Sequence, residues 1–151
     1  MNRKTILILI ASLLLLTAIA AVIHLTTRTR VPEHSLLVIS GEKQVLLDID
    51  KLKTYEVSGT VINGKGEEKQ VQGQAVSLLE IVQISGLEFK GSNTLAVCAG
   101  DEFAAAFTYE EVTKEGQGYL IIGEDKTVTS VFFGDKNAKR NVKNVERIEI
   151  R

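Results

Sequence analysis

The sequence predicts an α+β fold: a β-rich domain of short strands with two or three short helices, behind one N-terminal transmembrane helix. Three observations predict it. The run Thr5 to Leu25 holds no charged residue, with Arg3 and Lys4 before it and Arg28 and Arg30 after it. Behind that run, apolar stretches of strand length alternate with Gly, Asn and Asp turn signals. Two S/T-x-x-E patterns, Ser77 to Glu80 and Thr108 to Glu111, mark helix starts.

At about 1.5 Å per helical residue, the run spans roughly 31 Å, close to the apolar thickness of a bilayer. Ala18-Ile19-Ala20 also suits a secretory signal cleaved there, in which case the domain is secreted. The apolar character continues through Val22, Ile23 and Leu25, past the roughly 7–15 residues of a signal core, and this length favours an uncleaved anchor. His24 is expected at the interface. The Lys/Arg flanks are balanced, and the very short basic tail favours a cytoplasmic N-terminus with the domain exported. The expected division is residues 1–30 as anchor or signal, 31–45 as stalk and first strand, and 46–151 as the folded domain. Lipid is the expected partner of residues 5–25, and the chain is placed as a single-pass protein of the cell membrane.

After the stalk and Pro32, Leu36 to Ile39 and Val45 to Leu47 read as a hairpin about Gly41-Glu42, with Asp48 or Asp50 capping a single turn to Leu52. Tyr55 to Ile62 alternates, placing Tyr55, Val57, Gly59 and Val61 on one side of a strand. Asn63-Gly64-Lys65-Gly66 turns it into a returning strand, Glu68 to Gln72. Ser77 then caps a short helix that Gly86 ends. Thr94 to Ala99 and Phe103 to Phe107 form a strand pair, and Thr108 caps a turn or two of helix to about Lys114. Tyr119 to Ile122 and Val128 to Phe133 are strands, Gly134 to Arg140 is a polar, basic loop, and Val142 to Ile150 is the closing strand, in which a bulge or twist offsets Val145 and Ile148. No βαβ periodicity predicts a parallel sheet.

All 19 acidic residues follow residue 30, giving the exported part an excess of five acidic over basic groups. That balance excludes the basic face of a nucleic-acid binder. The only histidines are His24 and His34, so a histidine-based triad in the domain is excluded. The single Cys98 forms no internal disulfide and is expected as a buried apolar residue. Asp48-x-Asp50 has the spacing of a calcium loop without its glycine and terminal glutamate, and capping accounts for it. Lys136, Lys139, Arg140 and Lys143 form the domain's one basic cluster, either an anion grip or a solvated loop.

Several stretches together resemble the small molybdopterin-binding-type domain of the sulfite oxidase family. They are the turn Asp48 to Leu52 with the strand YEVSGTVING, the Gly73 to Leu87 helix segment, LAVCAGDEF from Leu95, and FFGDKNAKRNVKNVERIEI from Phe132. The resemblance spans about the last hundred residues. It implies the family's fold and makes Arg140 and Lys143 the candidate cofactor-binding residues. The family's metal-ligating cysteine lies upstream of this part, and the chain has none there. Asn141 and Asn144 stand where the family's closing segment carries tryptophans. The expectation is therefore a membrane-anchored, extracytoplasmic, non-catalytic binding or accessory module, with no catalytic or metal-ligating residue assigned. The alternative is a molybdopterin-dependent oxidoreductase, or a subunit of a membrane redox complex with a protein partner.

Overall fold

The computed structural model describes residues 2–27, 31–101 and 103–151, leaving out the side chains of residues 3, 4, 7 and 23–27. Two units divide at residue 30, and each is taken by itself. In the first, helix α1 covers Arg3–Thr27. Its leucines at 13 to 16 are each about two-thirds exposed. The hydroxyls of Ser12 and Thr17 donate back to the carbonyls of Leu9 and Leu14, so the helix satisfies its own polar side chains. Among the described residues no helix is long and apolar enough to cross a membrane. Arg28 and Arg30, and the side chains of Arg3, Lys4 and His24, lie outside the described residues.

The second unit, Val31–Arg151, is a strand-rich α+β domain of two sheets. Strand β1 (Ser35–Ser40) turns through Gly41, at φ 58°, into β2 (Lys43–Asp48). Residues 31–45, expected as stalk and first strand, thus belong to the same body as the rest. Asp48 caps the 3₁₀ turn Ile49–Lys51, its carboxylate accepting from the Asp50 amide at 3.0 Å. The next strands are β3 (Tyr55–Ile62) and β4 (Glu68–Ser77). Helix α2 (Leu78–Ser85) follows, with both bonds of the Ser77/Glu80 capping box formed and Gly86 left-handed at φ 67°.

Strands β5 (Thr94–Ala99) and β6 (Ala104–Thr108) lead into the short α3 (Tyr109–Thr113), whose capping box joins Thr108 and Glu111. Strands β7 (Gly118–Ile122), β8 (Val128–Phe132) and β9 (Val145–Ile150) complete the chain.

One sheet has the order β2-β1-β9-β5-β6 and the other β3-β4-β7-β8. All pairs are antiparallel except β1 with β9, where Val38 stands beside Ile148. The first sheet is therefore mixed, with one parallel pair that no βαβ unit forms. The two strands lie at opposite ends of the domain sequence, so no local βαβ pattern announces their pairing. Of the two expected irregularities, a bulge or a twist, the closing strand has a bulge: Cys98 pairs with Arg147 and Ala99 with Val145, leaving Glu146 unopposed. Leu36, Val38, Leu95, Phe107 and Ile148 of the first sheet share one core with Val76, Leu120 and Phe132 of the second, capped by Leu78, Ile81 and Val112.

The second sheet curls. The Gly134 amide donates to the Thr60 carbonyl at 3.2 Å, and Asn141 Nδ2 donates to the Ile62 carbonyl at 3.3 Å. These bonds tie the free edge of β3 to the segment after β8, so the four strands close on a second, smaller apolar group. Val57, Val61 and Val131 are buried there, outside the main core.

Candidate functional site

The open end of this curled sheet forms a cleft of about 380 Å³. Alternation along the strands places Val61, Val71, Ile121 and Val131 on its walls, with Thr129 among them. Two glycines make the curl possible. A Cβ on Gly59 would meet the Phe133 ring, and one on Gly73 would meet Ile121 Cγ2 at 2.8 Å. Asn63, Lys69, Asn141 and Lys143 stand around the cleft.

The two asparagines hold the frame. Asn63 Oδ1 accepts from the amides of Lys65 and Glu67, fixing the β3–β4 turn. Asn141 Oδ1 accepts from the Phe132 amide while its Nδ2 donates across to β3. The lysines are different. Both are exposed, and among the described residues neither ammonium has an ion-pair partner. The cleft thus presents apolar walls with two uncompensated cations at the rim, an arrangement suited to an amphipathic anion.

The sequence-predicted residues separate. Lys143 lines this cleft and also a neighbouring one with Gly100, Asp101 and Phe103. Arg140 lines neither. Its Nη2 lies 2.8 Å from Glu111 Oε1 and its Nη1 3.0 Å from Asp135 Oδ2, and the guanidinium sits 4.5 Å from the centre of the Phe107 ring. The buried Asp135 Oδ2 is reached through this ion pair without hydrogen-bond alignment. Burial works to raise the Glu111 carboxyl, but bonds from the Thr108 amide and Arg140 outweigh it and hold the group below its ordinary range. Arg140 is a structural cation that joins α3, the loop after β8 and β6. Lys136 and Lys139 are exposed on the same loop.

Asp48 and Asp50 are likewise engaged. Asp48 caps its turn and pairs with Lys51. Asp50 receives Lys126 Nζ at 2.6 Å and His34 Nδ1 at 3.3 Å, and Lys126 chiefly holds its carboxyl below the usual value. Both partners, His34 at φ 57° and Lys126 at φ 64°, are in the left-handed region. Sequence reasoning found the aspartates but not this clamp, because its members come from three distant turns.

In the family that the sequence resembles a cysteine thiolate ligates the metal, and the phosphate of a molybdopterin-type group calls for free cations. Cys98 is fully buried, and burial, reinforced by Glu149, pushes its thiol up, away from the thiolate form. Arg140 is already paired. Among the described residues, no three His, Cys, Asp or Glu side chains gather as a metal site. The donor set does not fit that metal-bearing group. No protein-family model and no curated protein matches the chain.

Sequence reasoning named Lys143 but missed Lys69, which lies on the returning strand and reaches the cleft only because β3 and β4 pair as Val61 to Lys69. The available signal was Gly59 inside the strand pattern Tyr55 to Ile62, which marks close approach of another group; Gly73 fell just past the expected returning strand, which in the structure runs on to Ser77.

Proposed function

We propose that the chain is a membrane-anchored, extracytoplasmic binding module of sulfite-oxidase-like fold that is not itself catalytic. The observation that carries this reading is the contrast between its functional groups. The residues capable of cofactor chemistry, Arg140 and Cys98, are paired or buried, whereas Lys69 and Lys143 stand free beside an apolar cleft. Such a cleft holds a molecule by its apolar part and fixes it by its charge, and its lining holds no histidine, cysteine or carboxylate to activate a nucleophile.

The anchor in this reading rests on the uncharged run Thr5 to Leu25 with its basic flanks, and on the exposed leucines of α1, which water does not favour. Two measurements on the full chain test the proposal together. Alkaline carbonate washing leaves the protein in the membrane pellet with Met1 as part of its N-terminus, and elemental analysis of the detergent-purified protein finds no molybdenum. Stoichiometric molybdenum, or release by carbonate with a mature end near Ala20, would refute the corresponding half.

A further inference from the structure

We propose that a second cleft, between the start of β3, the first turn of α2 and the loop before β7, binds a quaternary ammonium group of the choline type through Tyr55, Tyr119 and Glu80. This cleft measures about 560 Å³ and lies apart from the lysine-rimmed one, with which it shares no lining residue. The Tyr55 and Tyr119 rings stand at 84° with centroids 6.3 Å apart, so they wall the cleft in two planes. The Tyr55 hydroxyl donates to Glu80 Oε2 at 2.8 Å, and the Ser77 amide and hydroxyl donate to the same oxygen at 3.0 and 2.9 Å. All three bonds fall on Oε2, and Oε1 takes none of them. Burial acts to raise the Glu80 carboxyl, yet the Ser77 and Tyr55 bonds hold it below its ordinary value, so it is an anion at neutral pH.

The chemistry of these walls selects the cation. Calcium and magnesium require about six oxygen ligands converging on one ion, and among the described residues no three His, Cys, Asp or Glu side chains gather here or elsewhere to begin such a shell. A tetraalkylammonium is large and weakly hydrated, loses little on leaving water, and gains the electron-rich faces of aromatic rings. A hydroxyl that donates to a carboxylate makes its own ring more electron-rich, which strengthens that attraction. Lys114 also lines the cleft, as does Glu115. A primary ammonium is compact and strongly hydrated, so Lys114 competes poorly for the ring faces.

The chain is suited to a direct test. It has no tryptophan and three tyrosines, two of which line this cleft. Titrating the full chain in non-ionic detergent with choline chloride should give a saturable change in tyrosine emission, and sodium chloride at matched ionic strength should give none. Equal responses to the two salts, with none to a phosphatidylcholine surface, would overturn the proposal without any variant. By calorimetry, Glu80→Gln should weaken choline at least tenfold in a chain that still unfolds cooperatively, because glutamine also serves a capping box. Tyr119→Leu should abolish binding, and Tyr55→Phe, which keeps the ring, should weaken it less than Tyr55→Leu. Unchanged affinity in Glu80→Gln would refute the site. Nanodiscs of phosphatidylcholine and of phosphatidylglycerol separate the sources. Saturation by free choline assigns a solute, a response confined to phosphatidylcholine assigns a lipid headgroup, and no response to either overturns the inference.

Discussion

Gly59 of β3 lies directly beneath the ring of Phe133, where a Cβ would fall 2.5 Å from the nearest ring carbons. That contact seals one side of the curled sheet, since the next residue, Gly134, donates to the Thr60 carbonyl. Gly59→Ala therefore forces the ring out of place, an overpacking that costs about 1–3 kcal/mol. A lower thermal midpoint is expected, and Phe133→Leu in the same chain should recover part of it. An unchanged midpoint in Gly59→Ala would show that the ring has room to move.

Arg140 illustrates the opposite kind of dependence, on pairing instead of space. Arg140→Met removes the partners of Glu111 and of the largely buried Asp135, and leaves the latter carboxylate uncompensated. Breaking such a pair from one side costs about 3 kcal/mol or more. Thermal unfolding should show the loss, and Asp135→Asn in the same chain should return some of it. If Arg140→Met is as stable as the parent, Arg140 is free to hold an anion.

Carboxylates also set the acid limit of the fold. Glu80, Glu111 and Glu149 are all held below their ordinary values, in each case because hydrogen bonds outweigh burial. A depressed carboxyl contributes stability above its unfolded value, near pH 4.3 by a rough model-peptide figure, and loses it as pH falls through the folded value. The thermal midpoint should hold steady from neutral pH to about 5 and then fall as the pH drops below about 4.5. Glu111→Gln should make the fall shallower. A midpoint at pH 3 equal to that at pH 7 would contradict the assignment.

Local features were legible in the sequence because their causes are local. Ser77 and Glu80 are three residues apart, Gly86 ends their helix in the left-handed region, and Asp48 caps the turn it precedes. The same holds for β3, whose ends the alternation placed at Tyr55 and Ile62. What escaped depends on chain meeting chain. The parallel pairing of Val38 with Ile148 and the Asp50 clamp of His34 and Lys126 each join segments far apart in sequence. The basic cluster was visible as composition, but only the fold divides it into a half-buried, paired Arg140 and a free Lys143.

Cys98 gives a probe of that fold. Its side chain is fully buried on β5 and its thiol is pushed up by burial. Because the thiolate is the reactive form, a thiol reagent at neutral pH should modify the native protein only as fast as it opens. Labelling in denaturant should be complete within mixing. Rapid labelling of the native protein would place Cys98 at an accessible surface and reopen its chemistry.

The lysine-rimmed cleft should answer to charge at two positions and to shape at none of the paired residues. For the Val31–Arg151 unit, an amphipathic anion such as anilinonaphthalenesulfonate should bind with its rings against Val61, Val71 and Val131 and its sulfonate toward the rim. Exposed ion pairs contribute about 0.2–1 kcal/mol each, so Lys143→Gln or Lys69→Gln alone should weaken binding only a few fold. The double variant should lose roughly the product, and raising salt should shrink both effects as screening takes over. Lys136→Gln, on the same loop but outside the cleft, should change nothing. An equal loss from Lys136→Gln would mean that the anion follows the general field of the basic loop, and the cleft would lose its claim as the site.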